Sequence, residues 1–155
     1  MISRRGFIST TSKASLGAWA MPGFMSTYKP LIGSVGINLF SLPLLLEHDF
    51  SAAVKMLSGM GYKELELYGP YDFSTDLAKS NWANTSKAVG FKGSGFFGHD
   101  IKEIKSILND NGLKATSLHT DLDTLSTKMG ALAEAANTLG SSYVVLPAIP
   151  DAKRK

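Results

Sequence analysis

Glu66 and His119 are the side chains whose types and positions could do chemistry. Glu66 lies in Tyr62-Lys63-Glu64-Leu65-Glu66-Leu67-Tyr68, whose alternation of polar and apolar residues predicts a strand with Glu66 at its fifth position. If Leu65 and Leu67 pack under helices, Glu66 points to the opposite, inner face. A carboxylate there needs a charged, hydrogen-bonded or metal partner. Two roles stay open for it, substrate or metal chemistry and a structural bridge, for example to a lysine. His119 ends the next comparable run, Leu113-Lys114-Ala115-Thr116-Ser117-Leu118-His119, and Thr120, Asp121 and Asp123 follow it as a polar rim. A histidine so placed can bind a hydroxyl, move a proton, or ligate a metal through one nitrogen while a carboxylate orients the other. The alternative is a satisfied polar group at a strand end. Asn38, closing an earlier predicted strand, is a weaker companion for substrate binding.

Other motifs carry less. His48 and His99 each precede an aspartate at a predicted helix start, so both read as cap-region residues at the rim. Gly93-Ser94-Gly95-Phe96-Phe97-Gly98 has the glycine spacing of a dinucleotide fingerprint, but Val89-Gly90-Phe91-Lys92 before it is too short and polar for the strand that fingerprint requires. No nicotinamide or flavin cofactor is expected. Gly33-Ser34-Val35-Gly36 lacks the Lys-Ser/Thr of a phosphate loop, which disfavours an NTPase. Asn84-Thr85-Ser86 is formally a glycosylation sequon, of little meaning in a chain with a bacterial-type export signal. The absence of cysteine excludes disulfides, thiolate zinc, iron–sulfur ligation and a cysteine nucleophile.

The elements that must position these groups form a repeated unit. Phe50, Ala53, Val54, Leu57 and Met60 recur at helical spacing up to Gly61, and the strand bearing Glu66 follows. Ile101, Ile104, Ile107 and Leu108 lead to Gly112 and the strand ending at His119. Met129, Leu132, Ala133, Ala136 and Leu139 lead to Gly140 and Tyr143-Val144-Val145-Leu146. Asp49 is the expected cap of the first helix, Asp100 with Glu103 a capping box for the second, and Ser126 or Thr124 the cap of the third. Leu31 to Leu39 reads as an opening strand. The predicted order is β-α-β-α-β-α-β, the rhythm of parallel strands joined by outer helices. It breaks over 69–99, a long βα loop with a helix near Asp76 to Ala88 and the aromatics Tyr71, Phe73, Trp82, Phe91, Phe96 and Phe97. Such a loop commonly covers a binding site.

The chain begins with Ser3-Arg4-Arg5-Gly6-Phe7-Ile8, the pattern of a twin-arginine export address. A mildly apolar stretch follows and ends in Ala18-Trp19-Ala20, small residues at a spacing that signal peptidase accepts. The expectation is a signal over 1–20, a linker over 21–30, one barrel-like domain over 31–150 and a basic tail over 151–155. The export machinery is then a partner, and the working place is the periplasm or outside the cell. Of 16 basic residues, Arg4, Arg5 and Lys13 leave with the signal, so 13 remain against 13 acidic ones. No basic stripe with interleaved aromatics remains, and nucleic acid is not an expected partner.

Ile32-Gly33-Ser34-Val35-Gly36-Ile37-Asn38-Leu39-Phe40 resembles the first strand of the xylose-isomerase-like sugar phosphate isomerase/epimerase barrels. Gly59 to Gly69, Asn111 to His119 and Leu139 to Pro147 resemble the second, third and fourth blocks, in order. The resemblance implies the N-terminal half of a (β/α)8 barrel, about four parallel strands and three helices, with a site at the strands' C-terminal rim. Members typically isomerise or epimerise sugars by moving a proton next to a carbonyl. A divalent metal (Mn, Mg or Co) polarises the substrate oxygens and two glutamates exchange protons. An endonuclease branch uses Zn to cleave phosphodiesters. In that picture Glu66 and His119 line a carbohydrate pocket or support a metal, while the catalytic glutamates come from later strands and stay unknown here. A whole barrel needs roughly 250 residues, so three expectations stand: a truncated product, a half-barrel completed by self-association through open sheet edges, or a small independent α/β domain. Function follows the same division: an isomerase or epimerase of which this chain is part, a non-catalytic exported sugar-binding or structural domain, or a metal-dependent phosphodiesterase.

Overall fold

The computed structural model describes residues 33–154. The export signal over 1–20 and the linker over 21–30 lie outside the described residues. Four strands form one sheet: β1 (Gly36–Asn38), β2 (Glu64–Tyr68), β3 (Lys114–His119) and β4 (Tyr143–Val145). They run parallel and lie in chain order, β1-β2-β3-β4. Sequential order without a reversal is what a (β/α) barrel requires, whereas a doubly wound sheet changes direction partway.

Six α-helices connect them among the described residues, not three: α1 (Pro43–His48), α2 (Phe50–Gly59), α3 (Asp76–Val89), α4 (Ile101–Asp110), α5 (Leu122–Thr127) and α6 (Met129–Leu139). The helices with the 3.6-residue period, α2, α4 and α6, place Val54, Leu57, Ile104, Leu108, Leu132 and Leu139 in one core with Leu65, Leu67 and Leu118 of the strands. Burying each such side chain is worth about 1.5–3 kcal/mol, so this outer layer holds the sheet.

Several expected boundaries move. The opening strand is only Gly36–Asn38, because Asn38 accepts a hydrogen bond from Phe40 N and turns Leu39–Ser41 into a 3-10 helix. The second strand starts at Glu64, so Glu66 is its middle residue and Tyr68 takes the rim position. Asp49 caps α2 through Ala52 N as expected, 2.9 Å. Asp100 caps α4 through Lys102 N and Glu103 N, but Glu103 turns away to pair with His99 Nδ1 at 2.9 Å, so the box is half formed. His48 precedes the Asp49 cap, as expected, and is at the same time the last residue of α1. Thr124 and Ser126 cap nothing: Asp121 captures Thr124 N first and starts the unexpected α5, and α6 begins after Lys128 without a side-chain cap. The loop over 69–99 does contain a helix, the 14-residue α3, capped by Thr75.

Candidate functional site at the strand ends

Because side chains alternate along a strand, the sheet has two chemically distinct faces. Leu65 and Leu67 of β2 point into the helical layer and are fully buried. Glu66 points the other way, as its neighbours require, and the register brings Asn38 and Ser117 beside it. Asn38 Nδ2 donates to Glu66 Oε1 at 2.5 Å, and Ser117 Oγ donates to Oε2 at 2.7 Å. The carboxylate is therefore fixed by neutral donors from both flanking strands, and no lysine takes part. Ser34 donates to Glu64 lower on the same face.

A register shift between Leu65 and Glu66 opposes a bulge in β3. The extra residue puts Ala115 on the helical side with Leu65, yet Ser117 and His119 on the inner side with Glu66 and Tyr68. A bulge re-aims side chains in this way where a sheet meets a site. His119 Nδ1 lies 3.8 Å from Glu66 Oε1, too far for a hydrogen bond. Burial pushes the imidazole pKa below its ordinary value, and the pull of Glu66 in the other direction is the smaller effect. The ring is therefore neutral at pH 7, and its contact with Glu66 is not an ion pair. Its Nδ1 is buried without a protein partner.

Above this polar face, at the C-terminal ends of β2, β3 and β4, opens a cavity of about 300 Å³. Phe40, Tyr68 and Trp82 form an aromatic wall; His119, Thr120 and Asp121 form the polar side; Pro147 and Pro150 close it from beyond β4. The wall is held from behind. Tyr68 stacks edge-on against Phe40 at 5.2 Å and Phe97 at 5.6 Å between ring centres, and its hydroxyl donates to Gly93 O at 2.9 Å. Trp82 Nε1 donates to Lys92 O at 2.8 Å. Thr120 is 2% exposed, and its Oγ1 is buried without a hydrogen-bond partner.

The glycine-rich segment 93–98 does not open a helix or follow a strand. Its glycines serve packing. Gly95 has φ +62°, and a Cβ on it would meet Pro70 O at 2.7 Å; Gly95 N donates to Tyr68 O at 2.7 Å.

Thus Glu66, His119 and Asn38 come together, while His48 and His99 stay apart from them. Ser117 escaped the sequence reading although it lies two residues before His119, the spacing that puts it on the same face. Phe40 and Trp82 belong to distant segments, and no spacing rule joins them.

No protein family profile and no curated protein sequence matches the chain. A solved structure of a sugar phosphate isomerase/epimerase from Parabacteroides distasonis is similar, with TM-score 0.50 and 20% identity. The match covers 84% of this chain and 44% of that one, so the chain spans less than half the length of that structure. The likeness is one of fold: four parallel strands alternating with helices, half of a barrel.

Proposed function

We propose that this chain provides the substrate-holding part of a carbohydrate-directed isomerase or epimerase barrel. The observation that supports it most is the Glu66 carboxylate, held by Asn38 and Ser117 in an open cleft of the inner face and 3.8 Å from His119, which itself lines the aromatic-walled cavity. A carboxylate has roughly four acceptor sites, so Glu66 keeps capacity for substrate hydroxyls after its two protein donors. Neutral His119 offers one donor and one acceptor nitrogen and can relay a proton to or from a hydroxyl or carbonyl oxygen. The aromatic wall suits the apolar face of a sugar ring.

A divalent metal is the cofactor the fold suggests for the complete barrel. Among the described residues no three His, Asp or Glu side chains converge, and Glu66 with His119 gives two donors, fewer than a divalent cation takes from a protein site. The residues present do not by themselves fit a metal, and the roles proposed for them pass through none. The Arg4-Arg5 segment supports an exported protein, periplasmic or secreted, which cell fractionation checks.

Saturation-transfer NMR on the full chain with neutral hexoses and ketoses tests the reading. Ring-proton signals are expected with the native chain and at least tenfold weaker binding with Glu66→Gln or His119→Ala. Absence of transfer from every sugar tried sinks it. Deuterium incorporation next to the carbonyl of a bound ketose, in D2O with added Mn²⁺, separates a catalytic chain from one that only binds.

A further inference from the structure

The two ring nitrogens of His119 lie in unlike surroundings. The backbone that carries the ring is fixed in the sheet: its carbonyl accepts from Gly69 N at 2.9 Å, and Thr120 N donates to Val145 O at 2.9 Å. On the inner face the residue follows Ser117, the register partner of Glu66, by two positions. Nδ1 is buried without a hydrogen-bond partner. The carboxylate oxygen beside it is Glu66 Oε1, at 3.8 Å. Asp121, nearer in sequence, is turned to the start of α5, where it accepts from Thr124 N at 2.8 Å. Nε2 differs from Nδ1: it is not a buried unpaired atom, and among the described residues it makes no hydrogen bond. It is therefore the open nitrogen of a side chain that keeps 25% of its surface exposed.

A neutral imidazole carries one N–H and one lone pair, and what each nitrogen faces decides which is which. A lone pair on Nδ1 would be set against the Glu66 carboxylate in a place closed to water. An N–H there points its positive end at the same charge, an attraction that burial strengthens. Asn38 and Ser117 in turn hold the carboxylate in place. Resting on the proton-relay role of His119 in the carbohydrate reading above, we propose that Glu66 is a positioning residue. It holds His119 as the Nδ1–H tautomer and leaves the Nε2 lone pair open as the acceptor of a hydrogen bond and of a proton. The ligand accordingly presents an O–H or N–H donor to Nε2. When a hydroxyl proton crosses, the O–H bond breaks and its electron pair stays on the ligand oxygen. The new N–H bond makes an imidazolium whose charge Glu66 balances.

Long-range proton–nitrogen correlation NMR of the isotope-labelled full chain separates the tautomers, because protonated and unprotonated ring nitrogens resonate far apart. The spectrum is taken at about pH 8, above the ordinary imidazole pKa of about 6.5. The histidines are His48, His99 and His119, and His119→Gln removes the signals that belong to the site. Nδ1 is expected in the protonated range and Nε2 in the unprotonated one. In Glu66→Leu, judged folded by circular dichroism, the ratio of Nδ1–H to Nε2–H should fall roughly fivefold or more. A dominant Nε2–H form in the native chain overturns the proposal whether or not the variant folds. An unchanged ratio in Glu66→Leu overturns the role given to Glu66. Adding a neutral ketohexose should move the Nε2 signal toward the hydrogen-bonded range and leave Nδ1 in place; binding without that movement overturns the acceptor role. The carbohydrate reading fails separately: a chain that shows the Nδ1–H ring but no saturation transfer from any sugar sinks that reading and leaves the tautomer assignment standing.

Discussion

The two faces of β2 are built to opposite rules within five residues. On one side Leu65 and Leu67 are sealed into a dry layer under α2, α4 and α6. On the other, Glu64 and Glu66 are half-exposed and bonded to polar neighbours from the adjoining strands. Packing density governs the first face and hydrogen-bond geometry the second. The buried apolar face and the polar face proposed to bind are thus separated by residue parity, so a substitution's effect should depend on its face more than on its distance from the cavity.

The largest effect is expected from the sealed face. Leu67→Ala should cost about 2–5 kcal/mol, read as a fall in the urea midpoint. A loss no greater than that of an inner-face substitution would break the comparison. Next comes Gly95→Ala, behind the aromatic wall. Its new Cβ meets backbone, which cannot rotate away, in a left-handed conformation, and the cost should be about 1–3 kcal/mol with a blue or red shift of Trp82 emission.

A smaller, pH-dependent effect belongs to His119. Because the fold lowers its pKa, the unfolded chain takes up the proton first as pH falls. The stabilisation from the neutral ring is complete above the ordinary value of about 6.5 and is lost as pH drops through the folded value. The urea midpoint of the native chain should therefore fall more between pH 7.5 and pH 5 than that of His119→Gln. Equal slopes would mean that the ring is not held neutral by burial. The smallest effect on stability is expected from Glu66→Leu, within about 0.5 kcal/mol of the native chain, since Asn38 and Ser117 can turn to water. Sugar binding should nevertheless be lost in the saturation-transfer experiment, which is the sharpest form of the contrast.

How much of this was legible follows from the same physics. The outer layer was readable because α2, α4 and α6 repeat apolar residues at helical spacing, each ending at a glycine. Glu66 and His119 were readable because alternation assigns faces. α1 escaped because Leu44, Leu45 and Leu46 are consecutive and give no period, and α5 because Asp, Ser and Thr dominate Leu122–Thr127. The β3 bulge is a matter of pairing between strands, which a single segment does not encode. The unpaired hydroxyl of Thr120 and the meeting of Phe40 with Trp82 depend on three-dimensional closure, as does the shortening of the first strand by Asn38's turn.

Tyr68 ties two parts of the molecule into one mechanical unit. Its ring is cavity wall, its hydroxyl is fastened to Gly93, and its backbone carbonyl is fastened to Gly95. The glycine segment is thereby the foundation on which that wall stands. Gly93 and Phe97 do not line the cavity, yet they set where its floor and side meet. A substitution in this segment can therefore move the wall while every residue that lines the cavity stays the same.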